Sequence, residues 1–248
     1  MKKTLYIIFA TLLVTFLVAS VYLFTDEKQK GLPCKEVEVV IADSLEKYFL
    51  NDTDILAYLK KENLNPLNKK GDEINTNDIE NALLKNEIIE TAEVVQTISG
   101  KIKIVISQKM PILRVFSSGG SYYVDKSGKT MPSALGQAIY VPVASGNIEK
   151  SFATAELYEF ALFLQSDNFW NDQIEQIHVR SASDIEITPR VGSHRIILGS
   201  LDDYEKKLGH LRLFYEQVIP KMGWEKYSVI NLKYKNQIVC TKSKNTES

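Results

Sequence analysis

The chain of 248 residues is long enough for one large domain or two small ones, and its composition is that of an ordinary folded protein, with 44% hydrophobic and 25% charged residues. These proportions exclude a disordered chain, a collagen-like fibre and a disulfide scaffold. Thirty basic and 31 acidic residues give a formal net charge of −1, so the chain has no overall positive field to attract nucleic acid. We therefore expect no nucleic-acid partner.

The first predicted element is a transmembrane helix over Thr4–Phe24, a stretch without any charged residue. At about 1.5 Å per residue this stretch spans roughly the 30 Å of a bilayer's hydrocarbon. Its threonine and serine hydroxyls can bond back to carbonyls of the same helix. Lys2 and Lys3 precede the helix, whereas Asp26 and Glu27 follow it, so the positive-inside rule predicts a cytoplasmic amino terminus.

A cleaved signal peptide is the alternative, because Val18, Ala19 and Ser20 provide the small residues that a signal peptidase accepts. Both interpretations export residues 26–248. With 28 basic residues (30 minus Lys2 and Lys3) and 31 acidic ones, this exported part carries a formal charge of −3.

The two cysteines, Cys34 and Cys240, are too few for a disulfide framework. They either form one bridge or remain two unpaired thiols.

The exported residues predict two domains of the α+β class. After a polar linker over residues 26–33, residues 34–110 have the order strand, helix, helix, strand, strand. Asn51 and either Asn75 or Thr76 cap the two helices. The predicted elements are a strand over Val37–Ile41, a helix ending near Lys61, a second helix burying Ile79, Ala82 and Leu83, and a hairpin of Val94–Ile98 with Lys101–Ser107.

Residues 111–243 predict a larger antiparallel domain, which is followed by a polar tail over residues 244–248. Apolar residues at helical spacing predict a helix around Leu157–Leu164 and a longer one from Tyr204 that stops before or near Pro220. The predicted strands are Leu113–Phe116, Tyr122–Asp125, Ile174–Val179, Asp184–Thr188, Arg195–Leu198, Val229–Tyr234 and Gln237–Thr241.

No catalytic motif is present in the sequence. His178, His194 and His210 lack the spacing of a metal pair on a helix, and the pair Asp202 and Asp203 is typical of first-turn charge for the following helix. We therefore expect a binding module rather than an enzyme, without a cofactor, a metal or a small-molecule substrate.

Several short motifs in order resemble the FtsQ/DivIB family of bacterial division proteins. Ile102, Ile104 and Ile106 followed by Gln108, Lys109 and Pro111 resemble the end of the family's POTRA domain. The series continues through Tyr123–Asp125 with Gly128, Val141–Val143 with Gly146, Leu198–Gly199, and Asn231–Tyr234 with Asn236. The chain departs from the family pattern in having Lys233 in place of an arginine, and in a cytoplasmic tail of about three residues.

This resemblance implies a non-enzymatic division protein of the inner membrane, located at the septum. Its exported domains bind other membrane-anchored division proteins of the FtsB/DivIC and FtsL type. The implied contact is addition of a partner strand to a sheet edge, with Lys233 approaching an acidic side chain of the partner. The implied partner-binding residues are Lys233, Tyr234, Asn236, Gln237, Ile238, Val239 and Cys240. Without a partner role, Lys233 would be a solvated strand residue and Tyr234 a core ring.

A second functional class is an exported assembly or transport chaperone, in which a POTRA-like domain guides unfolded chains. An enzyme is a third class, but the sequence offers no catalytic set.

Overall fold

The computed structural model describes residues 9, 11–20, 33–42, 49–133 and 139–244. The chain divides into two compact units, Met1–Gln108 and Lys109–Ser248. Each unit has a hydrophobic core of its own.

Residues 11–20 are helical. Thr15 Oγ1 donates to the Leu12 carbonyl at 2.9 Å and Ser20 Oγ to the Leu17 carbonyl at 2.8 Å, the back-bonding expected of hydroxyls in an apolar helix. The predicted span Thr4–Phe24 lies partly outside the described residues. Within the residues described, no helix is both long enough and apolar enough to cross a membrane.

The first unit has the predicted order strand, helix, helix, strand, strand. Asn51 and Asn75 cap the two helices with their side-chain oxygens, and the helices bury Ile55, Leu59, Ile79 and Leu83 in the same core as the isoleucines of the last strand. The sheet order is β1-β3-β2, with β1 parallel and β2 antiparallel to β3. The elements are β1 (Val37–Ile41), α1 (Asp52–Lys61), α2 (Thr76–Leu84), β2 (Ile89–Gln96) and β3 (Ile102–Gln108).

The strand β2 lies earlier in the chain than predicted, since it starts at Ile89 and ends at Gln96. Thr97 closes the turn instead of extending the strand, because its N–H donates to the Lys101 carbonyl at 2.8 Å and its hydroxyl accepts from the Lys101 N–H at 3.1 Å. Ile98 therefore lies in the turn, where it is 68% exposed.

In the described residues of the second unit, nine strands form one sheet with the order β12-β11-β10-β9-β8-β7-β4-β5-β6. The strands are β4 (Pro111–Ser117), β5 (Gly120–Asp125), β6 (Thr130–Pro132), β7 (Val143–Gly146), β8 (Ile174–Ser181), β9 (Asp184–Pro189), β10 (Arg195–Gly199), β11 (Tyr227–Asn231) and β12 (Val239–Lys242). The helices are α3 (Lys150–Ala153), α4 (Glu156–Ser166), α5 (Asn168–Gln173), α6 (Tyr204–Gln217) and α7 (Ile219–Met222).

The prediction of an antiparallel sheet was wrong, because the sheet is mixed. The strand pairs β4–β7, β7–β8 and β10–β11 are parallel. Parallel neighbours need a long crossover, and α3–α5 and α6–α7 provide it for the last two pairs.

The two faces of this sheet differ in chemistry. One face buries alternate apolar residues, such as Val115, Ala144 and Ile177, in one core with the apolar sides of α4 and α6. The opposite face, here called the open face, carries the residues between them. Strand register places Arg114, Phe116, Ser145, His178 and Glu186 there.

Candidate partner-binding site

The candidate site is the carboxyl-terminal hairpin of the sheet. Its second strand, β12, pairs only with β11 and forms one end of the strand order, with Asn231 opposite Val239. Among the described residues no strand lies on the outer side of β12. Its outward N–H and C=O groups are therefore available to an added strand.

The strand β11 ends at Asn231, three residues before the predicted end at Tyr234. Asn231 Oδ1 accepts from the Lys233 N–H at 2.9 Å, which turns the chain, while the Leu232 N–H still donates to the Ile197 carbonyl at 2.8 Å. The next strand begins at Val239 instead of Gln237. Sequence alternation alone could not detect this side-chain turn.

The residues between the two strands form a tight loop. Asn236 has a left-handed backbone with φ of 59°, and the Gln237 N–H donates to the Tyr234 carbonyl at 3.2 Å. Tyr234 is 56% exposed, so it is not a core ring. The loop holds this aromatic side chain out toward solvent.

The side chains of β12 divide between core and solvent. Ile238, just before the strand, and Cys240 pack on the core, whereas Val239 is 44% exposed. Burial raises the pKa of the Cys240 thiol, which favours the protonated, less reactive form. Both thiols are free, Cys34 buried and Cys240 partly buried, so the two cysteines do not form a bridge.

Lys233 lies at the end of a chain of ion pairs on the open face. Its Nζ is 3.6 Å from Asp184 Oδ1, and Asp184 Oδ2 is 3.5 Å from Arg180. Arg180 continues to Glu186 at 2.7 Å, and Arg195 reaches the other oxygen of Glu186 at 3.0 Å. Three cations thus share two carboxylates, which leaves one positive charge over.

Gly199 provides the space in which Lys233 lies. A Cβ added at Gly199 would stand 2.8 Å from Lys233 Cγ, and the backbone φ of Gly199 is +80°. The glycine of the Leu198–Gly199 motif therefore has a packing reason, since a larger residue at this position would displace Lys233.

A groove of about 270 Å³ lies between the hairpin loop and the start of α6. Its charged lining is Lys206, Lys207, Lys233 and Lys235 against Asp202 and Asp203, so the groove is basic although residues 26–248 carry a formal charge of −3. Burial lowers the pKa of Lys207, which donates to the Ser200 carbonyl at 2.8 Å, while the two aspartates act in the opposite direction.

Sequence reasoning did not assign the α6 lysines or Lys235 to the site. The signal available for the α6 residues was the spacing of Lys206 and His210, which are four residues apart on one face of the helix. The contact of that face with a loop more than twenty residues later is a tertiary feature. Asp202 and Asp203 lie just before α6, with Asp203 at the N-cap position, so they are not the first-turn charge that was predicted; the acidic residue in the first turn is Glu205.

The three histidines do not come together. His178 is exposed on β8, with Nδ1 3.2 Å from the Ser145 hydroxyl, and His210 is exposed on α6. His194 is buried, with Nε2 2.6 Å from the Tyr215 hydroxyl. Within the described ranges, no three His, Cys, Asp or Glu side chains are placed to hold a metal ion.

Comparison with protein families identifies both units. Residues 32–107 match the model of the POTRA-like domain, and residues 110–241 match the model described as FtsQ/DivIB, C-terminal related. No curated protein matches the chain significantly. A POTRA-like domain followed by this sheet domain defines the class of the protein. The chain belongs to the FtsQ/DivIB family, whose members are non-enzymatic, membrane-associated scaffolds of cell division at the septum.

Proposed function

We propose that this protein is a non-enzymatic scaffold of the division machinery that binds membrane-anchored partners of the FtsB/DivIC and FtsL type. The partner adds a strand to the outer edge of β12 and covers Tyr234. By joining these partners, the protein connects septum assembly to cell-wall synthesis.

The observation that carries this proposal is the exposed end of the sheet. β12 has one free side among the described strands, and an aromatic ring that is 56% exposed stands on the loop beside it. A strand edge provides backbone affinity, and a neighbouring tyrosine provides the apolar anchor that is typical of interface hot spots. Asn236, Gln237, Ile238, Val239 and Cys240 complete the proposed contact.

Lys233 has a looser role in this proposal than an arginine would have. It already lies near Asp184 on its own chain, so a partner carboxylate would compete with that contact. An ammonium group also lacks the bidentate geometry of guanidinium. We therefore assign Lys233 to orientation of the partner and Tyr234 to most of the affinity.

Membrane anchoring by Thr4–Phe24 is part of the proposal. The described helical residues support it, because large apolar side chains such as Phe9, Leu12 and Phe16 are more than 60% exposed. Such side chains are favourable in lipid and unfavourable in water. Lys2 and Lys3 then place the amino terminus in the cytoplasm and both folded units outside.

The POTRA-like unit offers two further strand edges. β1 and β2 lie at the two ends of the order β1-β3-β2, and each pairs only with β3 among the described strands. We assign these edges to additional partner segments of the same strand-adding kind.

Co-purification with the partner tests the hairpin. The full-length chain carrying Tyr234→Ala should recover at least about tenfold less of an FtsB/DivIC-type partner, since loss of an interface hot spot costs about 2 kcal/mol or more and about 1.4 kcal/mol already corresponds to a tenfold change. The effect of Lys233→Glu should be smaller. Met222→Ala removes another exposed apolar side chain, on α7, and should leave recovery unchanged.

Equal recovery with Tyr234→Ala and with the parent chain, both folded by circular dichroism, would overturn the assignment of the hairpin. In cells, a fluorescent fusion of the parent chain should form a mid-cell band, and depletion should give filaments. Diffuse envelope signal and normal division would contradict the division role.

A further inference from the structure

Arg114 occupies an unusual position on the open face of the sheet. It lies on β4, with its guanidinium carbon 4.6 Å from the ring centre of Phe116 and 5.4 Å from that of Tyr123. These rings hold the side chain in place through cation–π contacts. The guanidinium is thus held by contacts with its flat faces, which do not use its hydrogen-bond donors.

Those donors find no acceptor in the described part of the chain. Arg114 is half-buried. Its Nε is fully buried without a hydrogen-bond partner and lies out of reach of a ligand, so the donors that a partner can contact are the two terminal nitrogens. Each of the other four arginines has at least one acceptor, although Arg190 Nε is also buried without a partner. Arg180, Arg195 and Arg212 pair with carboxylates, and Arg190 donates to the Ile174 carbonyl.

Leaving the donor of a charged group unpaired costs free energy, and a ligand that supplies the acceptor regains it. We propose that Arg114 is the centre of a second docking surface, which binds an aspartate or glutamate side chain of a partner polypeptide. Guanidinium binds carboxylate through two parallel hydrogen bonds. Phe116, 40% exposed beside it, receives an apolar side chain next to that acid.

The surroundings of Arg114 favour a polypeptide over an anionic polymer or lipid. Its strand neighbours on the open face are Tyr123, Val143, Phe116 and Ser145, none of which is charged. A phosphate-bearing polymer or membrane is bound by several cations together, whereas one cation among apolar side chains matches a single acid in an apolar segment.

This surface is separate from the hairpin described above. In the strand order, β4 is six inter-strand steps from β12. At about 4.8 Å per step this is about 29 Å along the sheet, more than the width of one added strand. Occupancy of Arg114 therefore does not depend on strand addition at β12.

Site-specific photo-crosslinking in cells tests the proposal. A benzoylphenylalanine at Ser145, the strand neighbour of Phe116 on the open face, is placed in the full-length chain. We expect a crosslink to a polypeptide segment that contains Asp or Glu beside an apolar residue. The crosslink yield should fall about tenfold with Arg114→Gln. It should fall less with Arg114→Lys, because lysine keeps the positive charge but cannot make the two parallel hydrogen bonds of guanidinium.

Lys221→Gln is the matched control, because it removes one exposed positive charge on α7. It should leave the crosslink unchanged. Thermal unfolding of each variant verifies that Arg114→Gln and Arg114→Lys are folded. A charge swap is the final test. Arg114→Glu in this chain, combined with arginine in place of the mapped acid in the partner, should restore the crosslink.

Three results would overturn the proposal. They are an equal yield with folded Arg114→Gln, crosslinks only to lipid or to a phosphate polymer, and loss of the Ser145 crosslink in Tyr234→Ala. Because Tyr234→Ala tests the hairpin alone, failure of that site is distinguishable from failure of the Arg114 surface.

Discussion

Gly199 shows how one missing side chain sets the position of another. Gly199→Ala should lower the free energy of unfolding by about 1–2 kcal/mol, because φ of +80° disfavours alanine and the new Cβ would stand 2.8 Å from Lys233 Cγ. Urea denaturation of the parent chain and of Gly199→Ala measures the difference in free energy of unfolding.

Gly209 is the control for this substitution. It lies within α6, and a Cβ there would meet nothing within 4 Å. Gly209→Ala should therefore stabilise the protein by up to about 1 kcal/mol through helix propensity. Equal destabilisation by both substitutions would contradict the packing role of Gly199.

His194 gives the sheet domain a dependence on pH. Burial lowers the pKa of His194 below 6.5, while Glu225 acts in the opposite direction. Besides Glu225, its neighbours are the Tyr215 hydroxyl and the Trp224 ring, and Tyr215 has a pKa raised by burial. Burial therefore favours the neutral ring in the folded state.

The sign of the pH effect follows from proton binding. Well above pH 6.5 both states hold a neutral His194, and between pH 6.5 and the lowered pKa of the folded state the unfolded state binds a proton that the folded state does not. Stability should fall as pH drops through 6.5, measured by urea denaturation at pH 7.5 and 5.5. The decrease should persist in His210→Gln and shrink in His194→Gln; an unchanged decrease in His194→Gln would contradict it.

At the scale of elements, helix α1 depends on its amino-terminal cap. Asn51 Oδ1 accepts from the Asp54 N–H at 3.0 Å, and Asp54 Oδ2 accepts from the Asn51 N–H at 3.0 Å. Asn51→Ala should cost about 1 kcal/mol of stability in the POTRA-like unit, and Asn51→Ser should restore most of it. Thermal unfolding followed by circular dichroism checks both, and an Asn51→Ala chain as stable as the parent would contradict the role of the cap.

Proline substitutions separate the two sides of β12. Adjacent residues of a strand point their N–H groups in opposite directions, so proline at Val239 and proline at Cys240 remove donors from opposite sides. One variant should lose stability because it breaks the pairing with β11. The other should keep its unfolding midpoint and lose partner recovery. If both variants retain recovery, strand addition at β12 is wrong.

Local signals predicted some elements well. Asn51 and Asn75 were recognisable caps, and the alternation of Ile102, Ile104 and Ile106 marked β3, because each depends on neighbours in the chain. The short helices α3, α5 and α7 were missed, since four to six residues contain too few turns for a periodic pattern. β6 and β7, of three and four residues, are likewise too short to show alternation.

Long-range pairing was the main feature that the sequence could not provide. The parallel neighbours β7–β8 and β10–β11 are joined by helical crossovers, and local alternation is the same for parallel and antiparallel pairing. Within the candidate site, the resemblance to the family selected Tyr234 as a partner-binding residue, but the sequence placed it in a strand, whereas the strand β11 ends at Asn231. Arg114 and the α6 lysines were missed because their significance depends on tertiary neighbours.

For the whole molecule, the amino-terminal helix should determine cellular location. Leu13→Arg places a charge within the uncharged stretch, at a cost of about 2.5–3.5 kcal/mol for a residue at the centre of a spanning helix. The fraction retained in membranes after carbonate extraction should fall. Leu13→Met should behave like the parent chain, and full retention of Leu13→Arg would contradict anchoring by this segment.

The position of the hairpin in the sheet has a consequence for its motion. β11 and β12 are joined to the remaining strands through β10, with only three paired positions from Arg195 to Ile197. Short pairing at a sheet end opens locally at lower free energy than the centre does. The amide hydrogens of β12 should therefore exchange with solvent early. A bound partner strand should slow that exchange, because it binds only the hairpin that is paired with β10. The free energy of keeping the hairpin paired is then part of the affinity for the partner.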